Sequence, residues 1–286
     1  MDWEQDRHMS PMTRRLLLGA GMAAAAAPAL SAVNVRLEGK LIQGGYVVGW
    51  TQPGARIFVN GEATALASRR GAFVIGFDRD EPATCQLEVH DRGEVFKRTL
   101  TVAKGNFGVQ RVDGLPQGTV TPTDPALLAR IRTETAMKQE AYASISPDDP
   151  FADGFAWPLK TFRNSSKFGN QRILNGVPNR PHYGFDMAAP AGTPILAPAG
   201  GLVVFARPRM HYEGGLTMID HGVGLVCAYL HQSKLLVKPG DRVLKGQKIG
   251  EVGMTGRATG PHLCWRLTWR GKHLDPSLWV GPRAVT

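Results

Sequence analysis

Three patterns of apolar and polar residues follow one another along the chain. From about Val33 to Val112 short apolar runs alternate with turn signals. Tyr46-Val47-Val48 and Ile57-Phe58-Val59 flank Pro53-Gly54, and Asn60-Gly61, Arg70-Gly71 and Asp91-Arg92-Gly93 mark further turns. Leu87 and Val89 alternate with Glu88 and His90, the period of a half-buried strand. This predicts a small antiparallel β-sandwich. Gly114 to Pro125 is rich in Pro, Thr and Gly and reads as a linker. Asp124-Pro125 then supplies an N-cap and a first-turn proline, and Leu127, Leu128, Ile131, Thr135 and Tyr142 recur at helical spacing. One amphipathic helix over about Ala126 to Ala143, a packing strut, is expected. Ser146-Pro147-Asp148-Asp149-Pro150 closes it. From Phe151 onward short strands return between Gly200-Gly201, Gly214-Gly215, Gly222-Val223-Gly224 and Pro239-Gly240, with no long helical pattern.

The expected fold class is therefore mainly β. The sandwich-like domain spans 33–113, the linker and helix 114–150, and a second antiparallel β domain 151–286. The head of the chain differs from all of this. Thr13-Arg14-Arg15 precedes an apolar run from Leu16 to Ala27, and small residues follow at Ala29, Ser31 and Ala32. A basic segment, an apolar segment and a small-residue cleavage zone predict a signal peptide over 1–32, and its paired arginines resemble a twin-arginine signal. Export to the periplasm or cell envelope follows as the expected location. No other segment is long and apolar enough to span a bilayer, so no transmembrane anchor is expected after cleavage.

Charge narrows the partners. The 286 residues carry a formal net charge of +10, which favours an anionic partner such as nucleic acid, membrane headgroups or wall polymer. No Lys/Arg-rich run stands out, which argues against nucleic acid. The three cysteines, Cys85, Cys227 and Cys264, are odd in number and form no CxxC pair, so a disulfide framework is not expected. One bridge with a leftover thiol stays open, Cys227–Cys264 included.

Candidate chemistry sits between His182 and Cys264. In His182-Tyr183-Gly184-Phe185-Asp186, strand alternation puts His182, Gly184 and Asp186 on one face. An imidazole and a carboxylate there can converge on one cation, because Gly184 leaves room. The same rule pairs His262 with Cys264 and Tyr229 with His231. Zinc takes N, O and S donors in a tetrahedron and keeps one position open in catalytic sites. Taken singly, each pair is a weak signal, since a lone His on a strand is commonly structural. His221 in its Gly turn, His211 and His273 in loops, and Arg180 before the first motif are read as structural or groove-rim residues.

Residues from about Phe151 to Trp279 resemble the lysostaphin/LytM-type zinc metallopeptidases. The resemblance rests on Ser166-Lys167-Phe168-Gly169, the His182–Asp186 motif, Gly192-Thr193-Pro194, Asp220-His221-Gly222, Tyr229-Leu230-His231, Gly240-Asp241-Arg242-Val243 and Thr255 through His262. It implies a peptidoglycan endopeptidase with one Zn²⁺ per chain, acting on peptidoglycan peptide stems, with other wall hydrolases as further candidate partners. It places metal ligands at His182 and Asp186 and catalytic histidines at His231 and His262. The third ligand position, the second His of the family's HxH, is Cys264. A thiolate also ligates zinc, at ~2.3 Å against about 2.0 Å for nitrogen. It leaves the centre less positive, so a slower enzyme or a higher pH optimum is expected. The alternative is a non-catalytic module that binds peptidoglycan or regulates another wall hydrolase, and a third reading is a structural envelope protein whose N-terminal β domain does the work.

Overall fold

A computed structural model of the chain describes residues 33–281, so the expected signal peptide at 1–32 lies outside the described residues. Strands β1 (Arg36–Lys40), β2 (Tyr46–Trp50), β3 (Arg56–Val59), β4 (Glu62–Leu66), β5 (Ala72–Gly76), β6 (Thr84–Asp91) and β7 (Glu94–Thr101) form two antiparallel sheets. Their orders are β1-β2-β5 and β4-β3-β6-β7. Ile57, Phe73, Ile75, Leu87 and Val89 are fully buried between them. Cys85 is buried in the same core, and His90 pairs with Glu88 at 2.9 Å on a half-exposed face.

The next strand, β8 (Val109–Val112), leaves the sandwich and pairs in parallel with β10 (Gln171–Leu174), so the pairing boundary falls before residue 113. Helix α1 (Gln117–Val120) is a single turn. Helix α2 (Pro125–Tyr142) starts where Asp124 accepts hydrogen bonds from the Ala126 and Leu127 amides, as an N-cap should. Its face is less buried than the spacing suggests: only Ala141 is buried, and Thr135 is exposed. Its C-terminal end packs on an apolar cluster through Met137, Ala141 and Tyr142, while Ile131, Thr135 and Lys138 face a cavity.

The second β region contains β9 (Arg163–Ser166), β11 (Val177–Pro178), β12 (Phe185–Ala188), β13 (Pro194–Leu196), β14 (Gly201–Met210), β15 (Gly214–Asp220), β16 (Leu225–Gln232), β17 (Lys234–Leu235), β18 (Arg242–Val243), β19 (Lys248–Glu251), β20 (His262–Trp269) and β21 (Lys272–Leu274). The largest sheet runs β18-β14-β15-β16-β20-β12-β9, with β21 against β20. Strand β20 shows how its two faces are sorted. Leu263, Trp265, Leu267 and Trp269 enter the main core, while His262, Cys264, Arg266 and Thr268 alternate onto the other face. On β16 the same rule sends Leu225, Cys227 and Tyr229 into the main core, and Val226, Ala228 and Leu230 join Cys264 on the second face with Ala141 of α2. The main core continues into the sandwich, where Gly76 lies against Leu274 and Trp269.

His221 shows what burial does to an ionisable group here. Its ring is fully buried, Nδ1 lies 2.6 Å from the Gly200 carbonyl, and Phe155 packs edge-on at 5.1 Å. Burial lowers its pKa to about 4. The unfolded chain binds this proton near pH 6.5, so the native state keeps its full stability above that pH and loses it as pH falls toward 4. The shift corresponds to on the order of 3 kcal/mol between pH 7 and pH 4. Thermal melts at these two pH values should show a smaller acid-induced drop for His221→Gln than for the wild type.

Candidate metal and catalytic site

The site lies on the second face of the large sheet, at the junction of β12, β16 and β20. His182, Asp186 and Cys264 are all buried, and their ligand-capable atoms lie within 4.8 Å of one another. Cross-strand register places Asp186 opposite Cys264. His182 reaches them from just before β12. Gly184 makes this possible, because a Cβ there would meet the Cys264 sulfur at 2.9 Å and Arg266 Cγ at 3.0 Å.

The geometry tests whether a metal fits. His182 Nε2 is 3.1 Å from Asp186 Oδ1 and 3.4 Å from Cys264 Sγ. Bonds of about 2.0 Å to N and O and about 2.3 Å to S in a tetrahedron place such atoms roughly 3.3–3.6 Å apart. Asp186 Oδ1 is buried with no hydrogen-bond partner despite facing the imidazole. An orphaned carboxylate oxygen beside a ring nitrogen that does not donate to it is what a shared cation would resolve. The residues fit zinc.

Protonation states agree with that fit. His182 Nδ1 lies 2.9 Å from Ser166 Oγ and 3.3 Å from the Lys167 carbonyl. Ser166 donates its own proton to Gln110 Oε1 at 2.7 Å, and a carbonyl can only accept, so the His182 proton sits on Nδ1 and the Nε2 lone pair faces the cluster. Burial keeps this ring neutral, against the pull of Asp186. Burial works against the Asp186 carboxylate too, while the Arg172 guanidinium, whose Nη2 is 3.1 Å away, draws its pKa down. Burial and the Asp186 charge push the Cys264 thiol up to about 12. It therefore ligates as a thiolate only where a cation displaces its proton.

His231 and His262 stand beside this cluster with ring centroids 4.6 Å apart. His231 Nδ1 donates to the Thr255 carbonyl and His262 Nδ1 to the Gly260 carbonyl, each at 2.8 Å, so both Nε2 lone pairs are left for substrate. His262 Nε2 is 3.9 Å from Asp186 Oδ1. Burial, then the His262 charge, lowers the His231 pKa to about 3. A groove of about 330 Å³ runs past them, lined by His231, His262, Asp186, Arg172, Arg257 and the β8 residue Gln110.

Two expectations need correction. Strand alternation put Tyr229 and His231 on one face, yet Tyr229 is fully buried in the main core, its hydroxyl 3.5 Å from His221. His231 adopts φ +65°, a left-handed conformation that turns its ring to the site face, next to a register shift between β15 and β16. The open Cys227–Cys264 pairing also fails. All three cysteines are free, and Cys227 lies on the core face, where Trp265 Nε1 donates to it at 3.3 Å. Sequence reasoning gave no part to Gln110, Ser166, Arg172, Arg257 or Arg266. Ser166 and Arg257 sat in quoted motifs without a role, and nothing in the spacing brings Gln110 to His182.

The architecture is a LytM-type antiparallel β domain preceded by a small sandwich. Residues 180–276 match the family model described as Peptidase family M23. A crystal structure from Pseudomonas aeruginosa assigned to peptidase M23 superposes with a TM-score of 0.65 at 30% identity, covering 84% of this chain and 95% of that one. The chain belongs to peptidase family M23. The peptidoglycan DD-endopeptidase ShyA of Vibrio cholerae is 46% identical over 116 residues, 40% of this chain and 26% of that protein. The peptidoglycan DD-endopeptidase ShyC of the same organism is 42% identical over 129 residues, 44% of this chain and 29% of that protein. The chain thus spans less than a third of the length of these two relatives.

Proposed function

We propose that the protein is a zinc metalloendopeptidase that hydrolyses peptide cross-links of bacterial peptidoglycan in the cell envelope. The observation that carries this is the orphaned Asp186 Oδ1 among three ligand-capable atoms, next to two histidines with free Nε2 lone pairs. His182, Asp186 and Cys264 would hold the metal. Bound there, zinc supplies Lewis acidity toward a carbonyl and lowers the pKa of water. His231 and His262 are the groups placed to handle protons at the scissile amide. Ser166 and Gln110 fix the His182 ring. The similarity to peptidoglycan DD-endopeptidases supports peptidoglycan cross-links as the substrate class. Among the described residues no helix is long and apolar enough to cross a membrane. The envelope location rests on the signal-peptide pattern.

One observation favours a second reading. A buried thiol raised to about 12 gives up its proton less readily than an imidazole offers its lone pair, so a metal-free module that only binds wall peptide is the competitor. Zinc analysis together with digestion of purified peptidoglycan separates the two. About one zinc per chain, muropeptide release, and loss of that release on chelation with recovery on adding zinc are expected. Wall binding without turnover at saturating zinc would favour the module.

A further inference from the structure

Next to the groove lies a second, larger cavity of about 740 Å³, between α2, the β10–β11 hairpin and the site face of the sheet. Its charge is unbalanced. Lys138, Arg172, Arg180, Arg257 and Arg266 line it; Glu213 pairs with Lys138 and Asp186 with Arg172, which leaves the charges of Arg180, Arg257 and Arg266 unmatched. The Nε atoms of Arg172 and Arg266 are buried and have no hydrogen-bond partner. Burial lowers the Arg257 pKa, and the Arg172 and Arg266 charges push the same way, so these guanidinium groups repel one another. Arg257 is held in place by the Thr119 carbonyl at 3.1 Å and by the Tyr212 ring at 4.7 Å. Buried like charges with unused donors call for an anion, and planar guanidinium forks match carboxylates.

The cavity and the groove are neighbours, since Arg172 and Arg257 line both and His182 borders the cavity. A peptide that leaves the groove past these two arginines meets the cation cluster. We propose that this cavity is a carboxylate-binding subsite that takes a free carboxylate of a peptide whose neighbouring amide lies at His231 and His262. The assignment rests on the peptidase reading for the location of the amide. It rests on the arginines alone for the anion.

Calorimetric titration of the zinc-loaded protein with three peptides tests it. The probes are acetylated lysyl-D-alanyl-D-alanine with a free C-terminus, its C-terminal amide, and an amidated analogue with a D-glutamate side chain. Binding of one carboxylate-bearing peptide at least tenfold tighter than the neutral amide is expected, and which of the two prefers the site identifies a terminal or a side-chain carboxylate. Arg257→Gln and Arg266→Gln should each reduce that preference to less than threefold. Arg180→Gln, at an exposed position, should reduce it by a smaller factor. Equal binding of all three peptides by the wild type, or an unchanged preference in all three variants, would overturn the subsite. Zinc content and chromatography of the recovered peptides are read separately. A protein that binds carboxylate but cleaves nothing thus refutes the peptidase and not the subsite.

Discussion

Cys264→Ala should lose zinc and at least ~10²-fold in peptidoglycan hydrolysis, while Cys264→His should keep about one zinc per chain and turn over faster than the wild type. The lower bound follows because losing a residue that merely orients a ligand already costs 10- to 100-fold in metal affinity or activity. The gain in the histidine variant follows from charge. With His182, the Asp186 carboxylate and a Cys264 thiolate, a dication is formally neutralised. An imidazole in place of the thiolate leaves one positive charge to polarise a carbonyl and acidify water. Room is the opposing term. Cys264 is 2% exposed and packs with Ala228 and Leu230, but Gly184 leaves the space above it free of a Cβ. Metal analysis and initial rates on the three proteins check this. Full activity in Cys264→Ala would remove the cysteine from the ligand set, and zinc appearing only in Cys264→His would favour the wall-binding module.

How much of this was legible beforehand follows from which interactions are local. The two β regions, the Asp124-capped helix and the faces of β20 follow from period and turn residues, because alternation on a strand is a covalent fact. The gathering of His182 with Asp186 was legible from their motif but not from alternation, because His182 lies before β12 and outside the strand. His231 was not, because its ring reaches the site through a positive φ that alternation does not encode. Gln110 and Arg172 were invisible for another reason. They meet the site through the parallel pairing of β8 with β10, across 62 residues of sequence, and no local pattern specifies a parallel partner. The basic cavity depends on the same pairing and on where α2 comes to rest, so single arginines scattered from 172 to 266 gave no sign of it.

His231→Ala and His262→Ala should each lower turnover by roughly 10²- to 10⁴-fold while zinc content stays at the wild-type level, the pattern of lost proton transfer and not of lost metal. The two rings should not contribute independently. At 4.6 Å they cannot both be cationic without strong repulsion, and His231, lowered to about 3 by burial and by the charge of His262, is the one that stays neutral. His262 is then the ring that takes the proton, with Asp186 Oδ1 3.9 Å from its Nε2 to stabilise the charge. His231 meets the substrate through its free lone pair. The sign for pH follows. His231 is neutral at every pH above about 4, so an acid-side loss of rate near pH 6 belongs to another group. His231→Ala should leave any such acid-side loss in place. Because the rings act as a unit, the double variant should be slowed by much less than the product of the two single effects. Rate profiles from pH 5 to pH 9 on all four proteins, normalised to zinc content, decide it; fully multiplicative losses, or an acid limb that vanishes with His231 instead, would reverse the assignment of roles.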